Sequence, residues 1–245
     1  ARPDLPIVGN RISMILVDFG SGPGLGIYVW YNDASWYRLH AQGSELMATG
    51  EHHVRVHDDR LTVVYRDVPG TFSRIAGVVS LHGLDVITAR AHSDEPQLGR
   101  ESMGASEFRL HVPPGGIDWQ RVVADLERAL LGRLAIESRL AERAKTYRRR
   151  RSTQAVDPGP PRVEFQDDAS DDATVVEVHC RSMIGILYRI TKALAEVGLD
   201  IRHATVQTVG SEVIDTFYVR DWAGGLIDDP GHRRELERAV LHAVG

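Results

Sequence analysis

One stretch of this chain occurs twice, and that duplication limits the available folds more than any other feature. Asp67-Val68-Pro69-Gly70-Thr71-Phe72-Ser73-Arg74-Ile75 aligns with Ser182-Met183-Ile184-Gly185-Ile186-Leu187-Tyr188-Arg189-Ile190. Gly83-Leu84-Asp85 then matches Gly198-Leu199-Asp200 at the same offset of 115 positions. Further on, Phe108 matches Phe217 and Gly115-Gly116 matches Gly224-Gly225 at an offset of 109, so the first copy is six residues longer between its second and third strands. A run of matches with one length change is the mark of a duplicated supersecondary unit.

Each copy opens on a short run rich in β-branched residues, 61–65 and 174–178, which favours a strand. A helix follows, with Phe72, Ile75, Val78 and Val79 at helical spacing in the first copy and Leu187, Ile190, Ala193, Leu194 and Val197 in the second. Gly83 and Gly198 stand where those patterns stop, as helix-ending glycines do. Strands are expected over 84–92 and 199–208, then over 106–112 and 213–220, with second helices from about Ile117 and Pro230. The first of these is expected to continue as a charged extension through Arg139, Arg143 and Lys145. The fold class is therefore α+β: tandem ferredoxin-like βαββαβ units with antiparallel sheets and helices on one face. Val163-Glu164-Phe165 is the candidate final strand of the first copy, while the second copy reaches Gly245 with none in sight. The boundaries that follow are 1–59 for a β-rich lead-in, 60–147 with 162–166 for the first unit, 148–161 for a linker and 173–245 for the second unit.

The linker joins Arg148-Arg149-Arg150-Arg151 to Asp157-Pro158-Gly159-Pro160-Pro161, whose prolines end any helix. Four arginines can touch RNA phosphates, but no aromatic residues are interleaved for stacking, so a solvated linker is the better reading. The net charge of −5 gives no bias toward nucleic acid, and no apolar run reaches bilayer length. A single cysteine, Cys180, fits a reducing, cytoplasmic setting. The start, Ala1-Arg2-Pro3-Asp4, reads as that of a piece of a longer protein.

The lead-in suggests strands over 12–19, 25–31 and 36–40, and a hairpin approach over 50–59. The glycine-rich 20–26 lacks the Lys-Ser/Thr of a phosphate loop and is followed by strand rather than helix. His52, His53, His57 and Asp58 match no standard zinc spacing and read as surface residues.

A ligand's natural place is the turn before each first helix. Backbone N–H groups at a helix N-terminus suit a carboxylate. Gly70 and Gly185 permit close approach, Pro69 fixes one φ, and Asp67 can hold an ammonium group or cap the helix. Asp85 and Asp200 follow the helix-ending glycines, where they can bind a ligand amine or satisfy a turn. These charges complement an α-amino acid, although a plain strand-to-helix turn explains them equally. Asp215 and Thr216 read as ordinary strand-end polarity. No grouping of nucleophile, base and orienting residue stands out, so no catalytic residue is assigned and no cofactor is expected in this chain.

With those pieces in view, the chain resembles paired ACT domains. More narrowly, it resembles the C-terminal region of bifunctional PII uridylyltransferase/uridylyl-removing enzymes of the actinobacterial type. The residues that carry this are Asp67-Val68-Pro69-Gly70, Leu187-Tyr188-Arg189-Ile190, Gly198-Leu199-Asp200-Ile201-Arg202, Ala204-Thr205-Val206 and Asp215-Thr216-Phe217-Tyr218-Val219. The resemblance covers roughly 45–245. It implies a glutamine-sensing regulatory portion of an enzyme that modifies the PII nitrogen-signalling protein. It also implies that uridylyl transfer and hydrolysis, with Mg2+, belong to catalytic domains outside this chain. The family's Asp-x-Pro-Gly turn is intact at 67–70 but reads Ser182-Met183-Ile184-Gly185 in the second copy, so the first turn is expected to be the better site. Competing readings are a stand-alone ACT-repeat protein for another amino acid or partner, a structural dimerisation module, and RNA association through 148–151. Exposed sheet edges allow self-association.

Overall fold

The computed structural model describes residues 13–17, 26–30, 47, 50, 52–93, 102–150, 159–209 and 212–245. Two short strands, β1 (Ser13–Val17) and β2 (Gly26–Trp30), pair antiparallel, so the glycine-rich segment between them joins two strands, as expected. The expected strand at 36–40 lies outside the described residues. A hairpin then brings β3 (His53–His57) against β4 (Arg60–Arg66). Its two-residue turn places Asp58 at φ 53°, a left-handed conformation that Asp adopts more readily than bulkier residues.

From β4 the chain follows the expected order twice. The first half is β4, α1 (Thr71–Leu81), β5 (Asp85–Ser93), β6 (Met103–His111) and α2 (Trp119–Leu130). After α3 (Ile136–Arg150) and β7 (Arg162–Phe165), the second half is β8 (Thr174–Arg181), α4 (Ile186–Glu196), β9 (Leu199–Val209), β10 (Glu212–Asp221) and α5 (Pro230–Val244). The last eight strands form one sheet in the order β3-β4-β6-β5-β9-β10-β8-β7, antiparallel throughout.

Two expectations need correction. Val163-Glu164-Phe165 does form a strand, but Val163 stands opposite Val178 of β8, so it edges the second half and not the first. The second half therefore has its outer strand, and the first half takes its own from β3. The outer position in this sheet runs antiparallel to β4 or β8, and a hairpin arriving from upstream satisfies it as well as a crossover from downstream. Only the eight residues 166–173 separate β7 from β8, so loop closure favours that pairing over a return to β4. The charged extension is also not a continuation of α2. A turn around Gly132, at φ 69°, stops α2, and α3 starts anew at Ile136.

Alternation along the strands builds the core. Leu61, Val63 and Tyr65 of β4, Phe108 and Leu110 of β6, and Phe217 and Val219 of β10 pack with side chains from α1, α2, α3, α4 and α5 in one continuous cluster. On the other face, Met47, Val64, Met103 and Ala105 form a small separate cluster. The halves join where Thr88, Ala89 and Arg90 of β5 face Thr205, Ala204 and His203 of β9. His203, beside Arg90, is held neutral mainly by burial, which pushes its pKa down to about 4.

Above the junction, α1 and α4 lie side by side, and Gly77 makes the close approach possible. A Cβ at that position would stand 2.5 Å from Ile136 Cγ2 and 2.9 Å from Tyr188 Cδ2. Asp215 corrects a third expectation: it is no strand-end residue but fully buried within β10, on the core-facing side with Val213 and Phe217. Neither carboxylate oxygen has a hydrogen-bond partner. Burial pushes its carboxyl up to about 8, against a smaller pull from the Gln207 backbone, so the acid is protonated at neutral pH.

Both features are measurable by urea unfolding. Gly77→Ala should destabilise the chain by about 1–2 kcal/mol despite the better helix propensity of alanine, because overpacking outweighs that gain. Combining it with Ile136→Val should recover part of the loss. For Asp215, the folded pKa lies above the unfolded one, so its contribution is complete below about pH 4 and is lost as pH rises through about 8. Asp215→Asn should flatten that dependence and be more stable than the parent at pH 8.5, by an amount on the order of a few kcal/mol. Parallel pH profiles of the two chains would contradict a neutral buried acid.

Candidate ligand-binding site

The strand β4 ends at Arg66, and the turn into α1 is fixed by its own backbone. Asp67 N–H donates to Ser102 O at 2.8 Å, anchoring the turn to the approach to β6. Thr71 Oγ1 donates to Val68 O and Ser73 Oγ to Gly70 O, each at 2.8 Å, so both hydroxyls fold back onto the turn. Gly70 is the N-cap of α1 at φ 80°, where a side chain would be strained, and the N–H groups of Phe72 and Ser73 then fall in the first helical turn without an intrahelical acceptor.

This turn faces the other half of the protein. Asp67, Val68, Gly70, Thr71, Phe72 and Ser73 form one wall of a narrow cleft that is partly open to solvent and encloses only about 20 Å³. Leu199, Asp200 and Ile201 from the start of β9 form the opposite wall, with Thr191 and Ala195 of α4 beside them. Tyr65 and Ala91 lie beneath, and Trp222, 44% exposed, stands at the rim. The junction between the halves thus unites Asp67, Gly70 and Asp200, three of the residues singled out from sequence.

The charges are arranged around a buried phenol. Tyr65 donates to or accepts from Ser106 Oγ at 2.7 Å, and burial raises its pKa well above the usual range, with the Asp67 and Asp200 carboxylates adding to the shift. The ring therefore remains a neutral hydrogen-bonding group. Arg202 Nη1 donates to Asp200 Oδ2 at 3.1 Å, which holds that carboxylate in a half-buried position. Such a cleft places helix N–H groups, which favour an anion, in one lining with two carboxylates, which favour a cation.

The other candidates fall elsewhere. Pro69 is exposed and shapes the turn without lining the cleft, and Asp85 is exposed at the start of β5 opposite His111. Gly185 repeats the geometry of Gly70, as the left-handed N-cap of α4 at φ 77°, yet it is buried beneath Leu140 of α3. His57 and Asp58 pair with each other on the surface at 3.5 Å. Among the described residues, the side chains close enough to share a cation are Glu164, Glu177 and His179, but Arg162 Nη2 lies 2.6 Å from His179 Nδ1, so a guanidinium already fills the cationic place. Arg148, Arg149 and Arg150 end α3, and Arg151 lies outside the described residues. Tyr65, Thr191 and Trp222 escaped sequence reasoning. Tyr65 could have been suspected, as the last inward residue of its strand before the turn, whereas Thr191 and Trp222 join only when the halves are packed.

Comparison with known proteins agrees with this architecture. Residues 174–238 match the ACT domain family. The chain is similar to the bifunctional uridylyltransferase/uridylyl-removing enzyme of Gluconobacter oxydans, 36% identical over 188 residues, which are 75% of this chain and 19% of that protein. The enzyme of the same name from Streptomyces coelicolor is 39% identical over 161 residues, 65% of this chain and 19% of the relative. That from Ruegeria pomeroyi is 29% identical over 178 residues, 73% of this chain and 19% of the relative. The chain thus spans about a fifth of the length of the curated relatives it matches. Among the described residues no helix is long and apolar enough to cross a membrane. Residues 174–238 thus carry the ACT-domain match, the two halves of like element order lie side by side in one sheet, and three quarters of the chain is similar to a region of a uridylyltransferase/uridylyl-removing enzyme.

Proposed function

We propose that this chain is the amino-acid-sensing portion of a PII protein uridylyltransferase/uridylyl-removing enzyme, with glutamine as its ligand. The observation that carries the reading is the junction cleft, in which the intact 67–70 turn of one half meets Asp200 of the other. The ligand's α-carboxylate would take the N–H groups of Phe72 and Ser73 at the N-terminus of α1, where the helix dipole favours negative charge. Its ammonium group would lie toward Asp67 and Asp200. A ligand gripped by both halves binds best when the halves hold one particular arrangement, and this differential affinity is what lets a small molecule bias a larger protein. Uridylyl transfer and its reversal, with Mg2+, are assigned to parts of the longer protein outside this chain, as is contact with PII. A cytoplasmic setting follows from that assignment.

Calorimetric titration with a panel of amino acids tests the proposal. Glutamine should bind saturably, and Trp222 should report it as a fluorescence change lost in Trp222→Phe. Asp67→Ala and Asp200→Asn should each weaken binding tenfold or more, about 1.4 kcal/mol, whereas Asp85→Asn should leave it within twofold. A folded chain that binds none of the amino acids would favour a purely structural pairing module. Selective binding of another amino acid would favour a stand-alone sensor.

A further inference from the structure

The repeat implies two junction clefts, and the structure treats them differently. Under the 115-residue offset, the counterpart of the open cleft lies between the Gly185 turn and the start of β5, where Leu84 and Asp85 stand in for Leu199 and Asp200. Space above Gly70 is open: a Cβ there would meet only Ser73 Oγ, at 3.7 Å. Above Gly185 the same place holds Leu140, with Cδ1 at 3.0 Å and Cδ2 at 3.3 Å. At the other wall the Arg143 guanidinium lies against Gly83, beside Leu84, and leaves Asp85 exposed. One face of α3 thus covers the Gly185 turn and reaches the edge of the opposite wall.

We propose that α3 is a built-in occupant of this second cleft, a detachable plug that competes with an α-amino acid for the Gly185 turn. Its attachment is suited to release. Among its described side chains only Ile136 and Leu140 are buried apolar anchors, set four residues apart on an otherwise charged and exposed helix. Polar ties at its edges are single contacts: Glu137 to Lys192 of α4 at 2.9 Å and Arg139 to Asp125 of α2 at 3.7 Å. Ile136 also wedges against Gly77 and, with Tyr188, sits where α1 meets α4, so departure of the plug alters the packing between the halves. Asp85 is exposed and becomes the acidic wall of the second site once Leu140 leaves. Ser182 replaces the aspartate of the first turn, so this site is the weaker of the two. The choice of ligand class rests on the reading of the first cleft given above; the occlusion does not.

Hydrogen–deuterium exchange of the 245-residue chain separates these claims, comparing the parent with Leu140→Asp and the milder Leu140→Ala. The expected result is at least tenfold faster exchange over 137–146 and at amides 186–188 of the α4 turn, with amides 71–73 of the α1 turn unchanged. Uniform acceleration along the chain would mean that α3 is ordinary core, and an unchanged α4 turn would mean that α3 does not cover it. Either overturns the plug. With L-glutamine as probe, calorimetry should give one molecule per parent chain and two per Leu140→Asp chain, the second weaker. Two on the parent, or one on the variant, overturns the competition. No heat with either chain would sink the glutamine reading, while the exchange result still decides the occlusion.

Discussion

Three backbone pairings between β5 and β9 hold the functional geometry of this protein. Thr88, Ala89 and Arg90 facing Thr205, Ala204 and His203 turn two four-stranded sheets into one of eight. Ala89 and Ala204 are both fully buried there, and their small side chains leave room for α1 and α4 to close over the seam. Because β5 and β9 run antiparallel, the start of each lies near the turn that precedes the opposite half's first helix. A cleft with one wall from each half is the geometric consequence. Neither half alone contains such a cleft, so the proposed ligand would touch both halves at once.

Much of this was legible in the sequence because it is local. A turn, a helix with apolar residues at 3.6 spacing and a glycine stop recur at one offset, and local patterns of that kind survive any uncertainty about tertiary packing. Partnership between strands is not local. β7 has four residues that alternate polar and apolar, which marks a strand, but nothing in Arg162-Val163-Glu164-Phe165 says which neighbour it will join. Loop closure decided that, in favour of β8. The separation of α3 from α2 depended on a left-handed Gly132 that can equally sit inside a charged, helix-prone run. Asp67, Gly70 and Asp200 could each be suspected individually, but that the first two meet the third required knowing that β5 lies next to β9.

The two copies differ in the residues beneath the clefts. In the first half Gly104 leaves space for the Tyr65 ring; a Cβ there would stand 2.6 Å from its Cε2. The phenol can then reach Ser106 and form the floor of the open cleft. At the corresponding positions the second half has Val213, Cys180 and Asp215. The valine removes the space, the cysteine replaces the ring, and Asp215 is left in the core without the hydroxyl that Ser106 finds. An aspartate in that position is tolerated because it can stay protonated, at a cost to stability that grows with pH. A fold that retained such a residue while covering the neighbouring Gly185 turn with Leu140 has made its two sides unequal in chemistry and in access. The asymmetry is physically useful. If both clefts take the ligand proposed above, two identical clefts would respond over one concentration range, whereas one open cleft and one covered by Leu140 above Gly185 would respond in sequence.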